Sequence, residues 1–326
     1  MDNYLRRHLP KHAGLSLIEL MIAITIGLTL IAGVVQIFGS SKATYRTQEA
    51  LSRVSENARF AIHFLSQDLS LAGFWGCNNN GANVISQLNP DVTGTINFAG
   101  GGLTGADGGI GGNDTITIRG LSGQPIPVAS VASVSYEVQL DSATTLANNS
   151  ILAISDCQNT DIFQLTQDVN NGTTLTHTAG AGQPGNASAR FSRDDYAGNS
   201  FSQAVMYRAD QITYTVAPDP NNNNLPTLFR NRNNNNIPLV EGVNGLQILY
   251  GEDQTGDGVV DRYVQAGTAG LNMVNVVAIQ VSLTLISPQT NITPMQDNLD
   301  TTASNRLVRN FQATIAVRNR IPIRFT

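Results

Sequence analysis

The feature that most constrains this chain is an uncharged apolar run near its N-terminus. From Leu20 to Phe38 the sequence reads LMIAITIGLTLIAGVVQIF, without a single charged side chain. At about 1.5 Å of rise per residue, such a helix nearly crosses a hydrocarbon layer of about 30 Å. Arg6, Arg7 and Lys11 precede it and should keep the N-terminus in the cytoplasm by the positive-inside rule. The sequence therefore predicts a single-pass membrane protein whose remaining chain lies outside the cytoplasm.

The helix is predicted to continue well beyond the membrane, to about residue 70. Apolar residues recur there at every third or fourth position, while most charged residues, Asp68 among them, are assigned to other faces. No proline interrupts the chain between Leu15 and Pro90, so one rod about 80 Å long is expected. The predicted apolar stripe consists of Leu51, Val54, Ala58, Ile62, Leu65, Leu69 and Ala72.

Beyond the helix the sequence favours strands and turns. Charged residues make up only 13% of the chain, and AGFWGCNNNG after Leu71 breaks the helical pattern. Val277 to Leu285 and Phe311 to Arg318 alternate apolar and polar residues, and are predicted to be antiparallel neighbours. The asparagine-rich stretch from Asp219 to Pro238 is expected to be an exposed hairpin. Shorter predicted strands are Thr115 to Arg119, Val131 to Val138, Ile151 to Ile154, Ile162 to Leu165, Gln211 to Val216 and Leu246 to Tyr250.

These patterns predict an α+β fold. A long N-terminal α-helix, transmembrane in its first half and amphipathic in its second, packs on a β-rich antiparallel globular head. Two cysteines, Cys77 and Cys157, fall in that head without a CxxC pair or a nearby histidine cluster. In an oxidising compartment they are expected to form a disulfide. The alternative is two separately buried thiols.

The residues just before the apolar run resemble a known processing site. GLSLIELMI, from Gly14 to Ile22, is similar to the type IV pilin signature, in which a prepilin peptidase cuts after the glycine on the cytoplasmic side. The resemblance implies cleavage between Gly14 and Leu15, and methylation of the new amine of Leu15. Leu15 stands where the family most often has phenylalanine. The expected divisions are a leader at 1–14, a helix at 15–72 that spans the membrane at about 17–39, and a head at 73–326.

Glu19 is the residue that a simple membrane anchor explains worst. A carboxylate within an apolar segment costs several kcal/mol and requires a partner or a proton. In pilins, that carboxylate pairs with the N-terminal amine of a neighbouring subunit, so the resemblance implies an inter-subunit role for Glu19. The alternative is a glutamate at the lipid headgroup level beside the cut N-terminus.

The head resembles that of one group of minor pilins. GFWGC after the helix, NDTITIRG from Asn113 to Gly120, and FQATIAVRNRIP near the end are similar to PilW-type proteins. The resemblance implies a low-copy subunit that primes pilus assembly and sits in the filament or at its tip. Implied partners are other minor pilins, the major pilin, prepilin peptidase, the inner-membrane assembly machinery and membrane lipid. The chain would reside in the inner membrane, with a periplasmic head, before it enters the pilus.

One loop has the composition of a calcium site. EDQTGDGVVDRY resembles a DxDxDG loop, in which alternate oxygen ligands and a glycine wrap one ion. The candidate positions are Asp253, Thr255, Asp257, Val259 and Asp261. Thr255 weakens the third position and Val264 stands at the twelfth, so further ligands such as Glu252 or water would be needed. The alternative is an acidic β-turn between two strands.

Other function classes find little support in the sequence. Without the leader, the chain has 16 basic and 23 acidic residues, which is the wrong balance for nucleic acid. His63 and His177 lie beside no nucleophile motif, and no phosphate-binding glycine loop is present, so no enzymatic activity is expected. Two alternatives stay open beside the minor pilin. One is a GspJ-like pseudopilin of a type II secretion system, and the other is an adhesin displayed on a pilus.

Overall fold

The computed structural model describes residues 14, 16–77, 83–89, 96–98, 101–132, 137–180, 183–192, 204–290, 292 and 305–320. A single helix, α1, runs for 53 residues from Leu17 to Leu69, which corresponds to a length of about 80 Å. Ser16 caps its start, because its hydroxyl oxygen accepts a hydrogen bond from the backbone N–H of Glu19. The long N-terminal helix of the predicted fold is confirmed.

The head consists of fourteen strands and two short 3-10 helices in the described part of the chain. The strands are β1 Val84–Ser86, β2 Leu103–Ala106, β3 Thr115–Val131, β4 Val138–Leu146, β5 Ile151–Ser155, β6 Thr160–Gln164, β7 Val169–Leu175, β8 Val205–Asp219, β9 Leu225–Arg232, β10 Asn235–Glu241, β11 Val243–Glu252, β12 Arg262–Val264, β13 Val276–Ile286 and β14 Val308–Ala316. The 3-10 helices are Met273–Asn275 and Arg318–Arg320.

In the described part of the head, the strands form two sheets. The larger has the order β1-β6-β5-β8-β3-β4-β7, with β2 also paired to β3 and the β9–β10 hairpin extending from β8. The smaller is antiparallel, in the order β12-β11-β13-β14. The β1–β6 pair is parallel and the other strand pairs are antiparallel. The β-rich antiparallel head is therefore confirmed.

The main core lies between α1, the smaller sheet and part of the larger one. Ile279, Val281 and Leu283 of β13 are buried against the helix stripe, as their alternation predicts. The expected pairing of β13 with β14 is also confirmed, because Ile279 lies opposite Ile315 and Leu283 opposite Phe311. A second core surrounds Phe163, and a third surrounds Trp75, which lies shortly after the end of the helix.

Two helix predictions need correction. Leu51, assigned to the stripe by its apolar spacing, is 41% exposed, whereas its neighbour Ala50 is fully buried. Asp68, assigned to a polar face, is 4% exposed. The observed stripe runs through Ala50, Val54, Ala58, Ala61, Leu65 and Leu69, and its small residues allow the helix to approach the sheet closely. Apolar spacing therefore identified most of the buried face but not all of its members.

The asparagine-rich stretch does form a hairpin, but it is not an exposed excursion. Strand β9 continues the larger sheet beside β8, and Leu228 within it is fully buried. The turn to β10 is made by Asn233 and Asn234, both at positive φ, the geometry of the tight turns that suit twisted hairpins. The asparagines therefore supply left-handed turn conformations, while LPTLFR between the asparagine runs packs inward.

Most predicted strands are found, and one is not. Val131 to Val138 instead holds the end of β3 and the start of β4, and its middle lies outside the described residues. Cys77 and Cys157 are joined in a disulfide, so that prediction is confirmed. The bridge ties the segment after the helix to the connection between β5 and β6.

Candidate functional site: the N-terminal helix and its junction with the head

The predicted processing residues lie at the very start of the described chain. Gly14 is exposed and Ser16 caps α1, whereas residues 1–13 and Leu15 lie outside the described residues. Glu19 is an exposed acidic residue in the first turn of the helix. A carboxylate in a first helical turn interacts favourably with the N–H end of the helix dipole. Cleavage, methylation and subunit pairing at these positions stay predictions.

The first half of α1 presents apolar side chains in every direction. Its large apolar residues from Leu17 to Phe38 are all more than half exposed in the isolated chain. The helix is long and apolar enough to cross a membrane, and none of its most apolar window is buried within the chain. Such a surface requires lipid or other protein around it, because water is an unfavourable environment for it.

The second half of α1 is held to the head by an ion pair as well as by its apolar stripe. Asp68 receives two hydrogen bonds from Arg230 on β9, one from Nε to Oδ2 at 2.6 Å and one from a terminal nitrogen to Oδ1 at 2.9 Å. The hydroxyl of Tyr214 on β8 donates to the same Oδ2 at 2.5 Å. Burial and the Asp68 charge raise the pKa of Tyr214, and the hydrogen bonds to Asp68 raise that of Arg230.

The end of the helix is also joined to the head through backbone contacts. The N–H of Gly73 donates to the carbonyl of Arg119 at 2.9 Å, and that of Leu121 to the carbonyl of Phe74 at 2.8 Å. Gly120 permits this approach, since a carbon added there would lie 2.1 Å from the carbonyl oxygen of Leu71. Together with the Asp68 contacts, these bonds fix the direction in which the helix leaves the head.

The predicted calcium loop is organised by its own backbone. The Asp253 carboxylate accepts hydrogen bonds from the N–H groups of Gly256 at 2.6 Å and Gly258 at 2.7 Å, and Asp261 accepts from the N–H groups of Gln254 and Thr255. Burial raises the pKa of Asp253, but these backbone donors outweigh it and leave the pKa below its ordinary value. This is the arrangement expected of an acidic turn.

The other members of the predicted site do not converge on a common point. Asp257 is exposed and accepts a hydrogen bond from the N–H of Val259, whose side chain is 63% exposed. The further candidate ligand, Glu252, accepts from the backbone of Asn272 and from Arg262, which hold its pKa below the ordinary value despite burial. Among the described residues, no group of three or more His, Cys, Asp or Glu side chains is arranged to hold a metal ion. Calcium binding stays a prediction.

The two histidines outside the leader have unlike surroundings. His63 is exposed on α1 beside Phe64. His177 is buried between Phe163 and Phe191, and neither ring nitrogen has a hydrogen-bond partner of good geometry. Burial lowers the pKa of His177 to about 4, although the Ala189 carbonyl and the Asp161 charge offset part of that effect. Because His177 is enclosed and 2% exposed, it is suited to packing and cannot meet a substrate from solvent.

Two family models match the chain. The prokaryotic N-terminal methylation motif matches residues 9–35, and type IV pilus-assembly protein W matches residues 213–319. No curated protein and no solved structure gives a significant match. The first matched region contains Gly14, Leu15 and Glu19, and the second contains the β9–β10 hairpin and the smaller sheet.

The two matches support a type IV pilus minor pilin of the PilW type. Of the three head motifs that suggested this, only FQATIAVRN falls within the matched region, whereas GFWGC and NDTITIRG lie outside it. The two matches indicate a structural component of the pilus that associates with other pilus components. The methylation motif and the exposed apolar helix fit a membrane-anchored pilin.

Sequence analysis missed the residues that connect helix α1 to the head. Asp68 stands within the spacing of the buried stripe, between Leu65 and Leu69, and a charge at such a position requires a partner. That spacing was a usable signal. The sequence held no signal for the identity of the partners, because Tyr214 and Arg230 lie 146 and 162 residues away from Asp68 along the chain.

Proposed function

We propose that this minor pilin is inserted with its N-terminus in the cytoplasm, cleaved after Gly14, methylated on Leu15, and then built into the pilus. Its head lies in the periplasm until assembly. It acts with other minor pilins to initiate the filament, and it enters the filament or occupies its tip. The observation that carries this proposal is an apolar helix surface, exposed from Leu17 to Phe38, on a helix firmly joined to a folded head.

The physical basis is the apolar surface of the first half of α1, which is exposed in the isolated chain and requires an apolar environment. Lipid covers it before assembly, and the apolar helices of neighbouring subunits cover it afterwards, so transfer between the two costs little. Glu19 is the exception, because an acidic side chain within a membrane helix is unfavourable, by up to about 3 kcal/mol at the helix centre and by less near its end. Pairing with the amine of a neighbouring Leu15 would offset that cost in the filament and favour a defined axial position.

The processing step is tested by mass spectrometry of the chain purified from cell membranes. A mature chain that starts at Leu15 with one added methyl group supports the proposal. A chain that still starts at Met1 contradicts it, and would make α1 an uncleaved membrane anchor.

The role of Glu19 is tested with Glu19→Gln and the matched control Glu56→Gln. Both replace an exposed glutamate of α1, but only the first lies in the apolar half. We expect E19Q to be processed and membrane-bound yet poorly recovered in sheared pili, whereas E56Q is recovered normally. Equal recovery of the two variants would rule out pairing at Glu19.

A gene deletion distinguishes the proposed pilus role from that of a GspJ-like pseudopilin. Loss of surface pili with intact secretion of exported proteins supports the pilus role. Intact pili with lost secretion would assign the chain to a secretion system instead.

The predicted calcium loop has its own test. Calcium titrated into the full-length chain in detergent should release or absorb heat and raise the melting temperature if the loop binds it. No heat and no change in melting temperature at millimolar calcium would reject the site.

A further inference from the structure

A cavity of about 230 Å³ opens in the head where β3, β4, β5 and β8 meet. Its floor is apolar, since Leu146, Leu152 and Met206 are nearly or fully buried members of the second core. Its rim is polar and is formed by Ser122, Gln124, Thr144, Thr145 and Arg208. An apolar floor with a few polar groups around it is the usual composition of a small-molecule site.

Irregular strand pairing creates this cavity. Ser122 lies opposite Arg208, and Ile126 lies opposite Met206. Between these two pairs β3 therefore advances by four residues while β8 advances by two. The extra residues begin at Gly123, which has a φ of 82°, and leave the ladder as a bulge. A register shift in the β4–β7 pair, between Gln139 and Thr144, changes the course of β4 on the other side. Bulges that redirect side chains in this way are enriched beside functional sites.

Arg208 is the charged side chain of the cavity lining. It lies directly opposite Leu152 in the β5–β8 pair, and opposed residues of antiparallel strands point to the same face, so its stem lies beside the apolar floor. Throughout the described residues, no carboxylate pairs with Arg208. Three other arginines of the head, Arg230, Arg232 and Arg262, each form an ion pair with an acidic residue.

We propose that this cavity binds a carboxylate carried by a small polar ligand, about the size of one sugar acid or one acidic amino acid. The planar guanidinium of Arg208 matches a carboxylate in a two-bond geometry. The hydroxyls of Thr144 and Thr145 and the amide of Gln124 offer hydrogen bonds to the rest of the ligand. One positive charge in the lining balances a singly charged carboxylate better than a doubly charged phosphate ester.

The test uses the full-length chain in detergent and two acidic probes with neutral counterparts. The probes are D-glucuronate against D-glucose, and N-acetyl-L-glutamate against N-acetyl-L-glutamine, measured by ligand-detected NMR. We expect at least one acid to bind at least about tenfold more tightly than its neutral counterpart, since hydrogen bonds to a charged group are stronger than neutral ones. Binding of glucuronate alone identifies a sugar acid as the ligand, and binding of N-acetylglutamate alone identifies an acidic residue of a protein. Binding of neither acid, or equal binding of acids and neutral probes, overturns the proposal.

Variants then assign the binding to this cavity. Arg208→Gln should weaken the acid at least about tenfold, whereas the matched control Arg309→Gln, on the exposed face of β14, should not. If R208Q fails to fold, Thr144→Tyr serves instead, because it fills the mouth of the cavity and keeps the charge. Unchanged affinity in the folded variant would place the bound probe elsewhere. None of these measurements depends on cleavage or on pilus assembly, so they stand apart from the proposed function.

Discussion

Replacing Asp68 by alanine removes the acceptor of the three side-chain hydrogen bonds that join α1 to β8 and β9. It leaves the guanidinium of Arg230 and the hydroxyl of Tyr214 without their partner in a site from which water is largely excluded. The ion-paired side chains are 16% exposed at Arg230 and 6% exposed at Asp68. Loss of one partner from a buried pair costs about 3–5 kcal/mol. Because Arg230 retains some access to water, we expect the free energy of unfolding to fall by about 3 kcal/mol.

The measurement is urea unfolding of the full-length chain in detergent. Trp75 is the single tryptophan, is buried, and follows the helix closely, so its fluorescence reports separation of the helix from the head. The control is Glu49→Ala, which breaks the exposed pair between Glu49 and Arg53 on the same helix. An exposed pair of this kind contributes less than about 1 kcal/mol.

A double-mutant cycle separates the pair from general packing. Arg230→Ala alone leaves the Asp68 charge buried and should also be strongly destabilising. The double variant should lose clearly less free energy of unfolding than the sum of the losses in the two single variants. If D68A unfolds within about 0.5 kcal/mol of E49A, or if the two losses simply add, the ion pair does not hold the helix to the head.

Three further predictions concern the folded head and helix. Burial lowers the pKa of His177 from 6.5 in the unfolded chain to about 4 in the folded protein. As the pH falls, the unfolded chain therefore takes up a proton before the folded protein does. The free energy of unfolding should fall by about 3 kcal/mol between about pH 6.5 and about pH 4. This loss should be absent in His177→Phe, as followed by melting temperature against pH, and an equal loss in both proteins would contradict the assignment. Reduction of the disulfide between Cys77 and Cys157 opens a loop of 80 residues and should lower the free energy of unfolding by about 4 kcal/mol. Urea unfolding with and without reductant measures this change, and an unchanged unfolding midpoint would refute it. In the same assay, Leu65→Ala should lower the free energy of unfolding by about 2–5 kcal/mol and Leu51→Ala by less than about 0.5 kcal/mol, because only Leu65 is fully buried. Comparable losses for the two variants would contradict the observed helix face.

Periodicity predicted the elements whose environment is set by neighbours close in sequence. The first half of the helix followed from a run without charge, and its second half from apolar residues at every third or fourth position without proline. Strands β13 and β14 followed from their alternation of apolar and polar residues. The asparagine-rich stretch was predicted as an exposed hairpin and not as a core element. Its burial depends on β8 accepting it as a neighbouring strand, and local composition holds no information on that pairing.

By itself, the sequence determined the membrane-type helix, the processing motif around Gly14 and Glu19, and the β-rich class of the head. These depend on local hydrophobicity and on a short motif, so they need no knowledge of distant contacts. Only the tertiary structure decided that Ala50 rather than Leu51 lies on the buried helix face, and where the charge of Asp68 is neutralised. It also decided that Arg208, which has no carboxylate partner among the described residues, lies beside the apolar floor of a cavity. In each of these cases the free energy depends on partners far away in sequence, which the chain brings together only by folding.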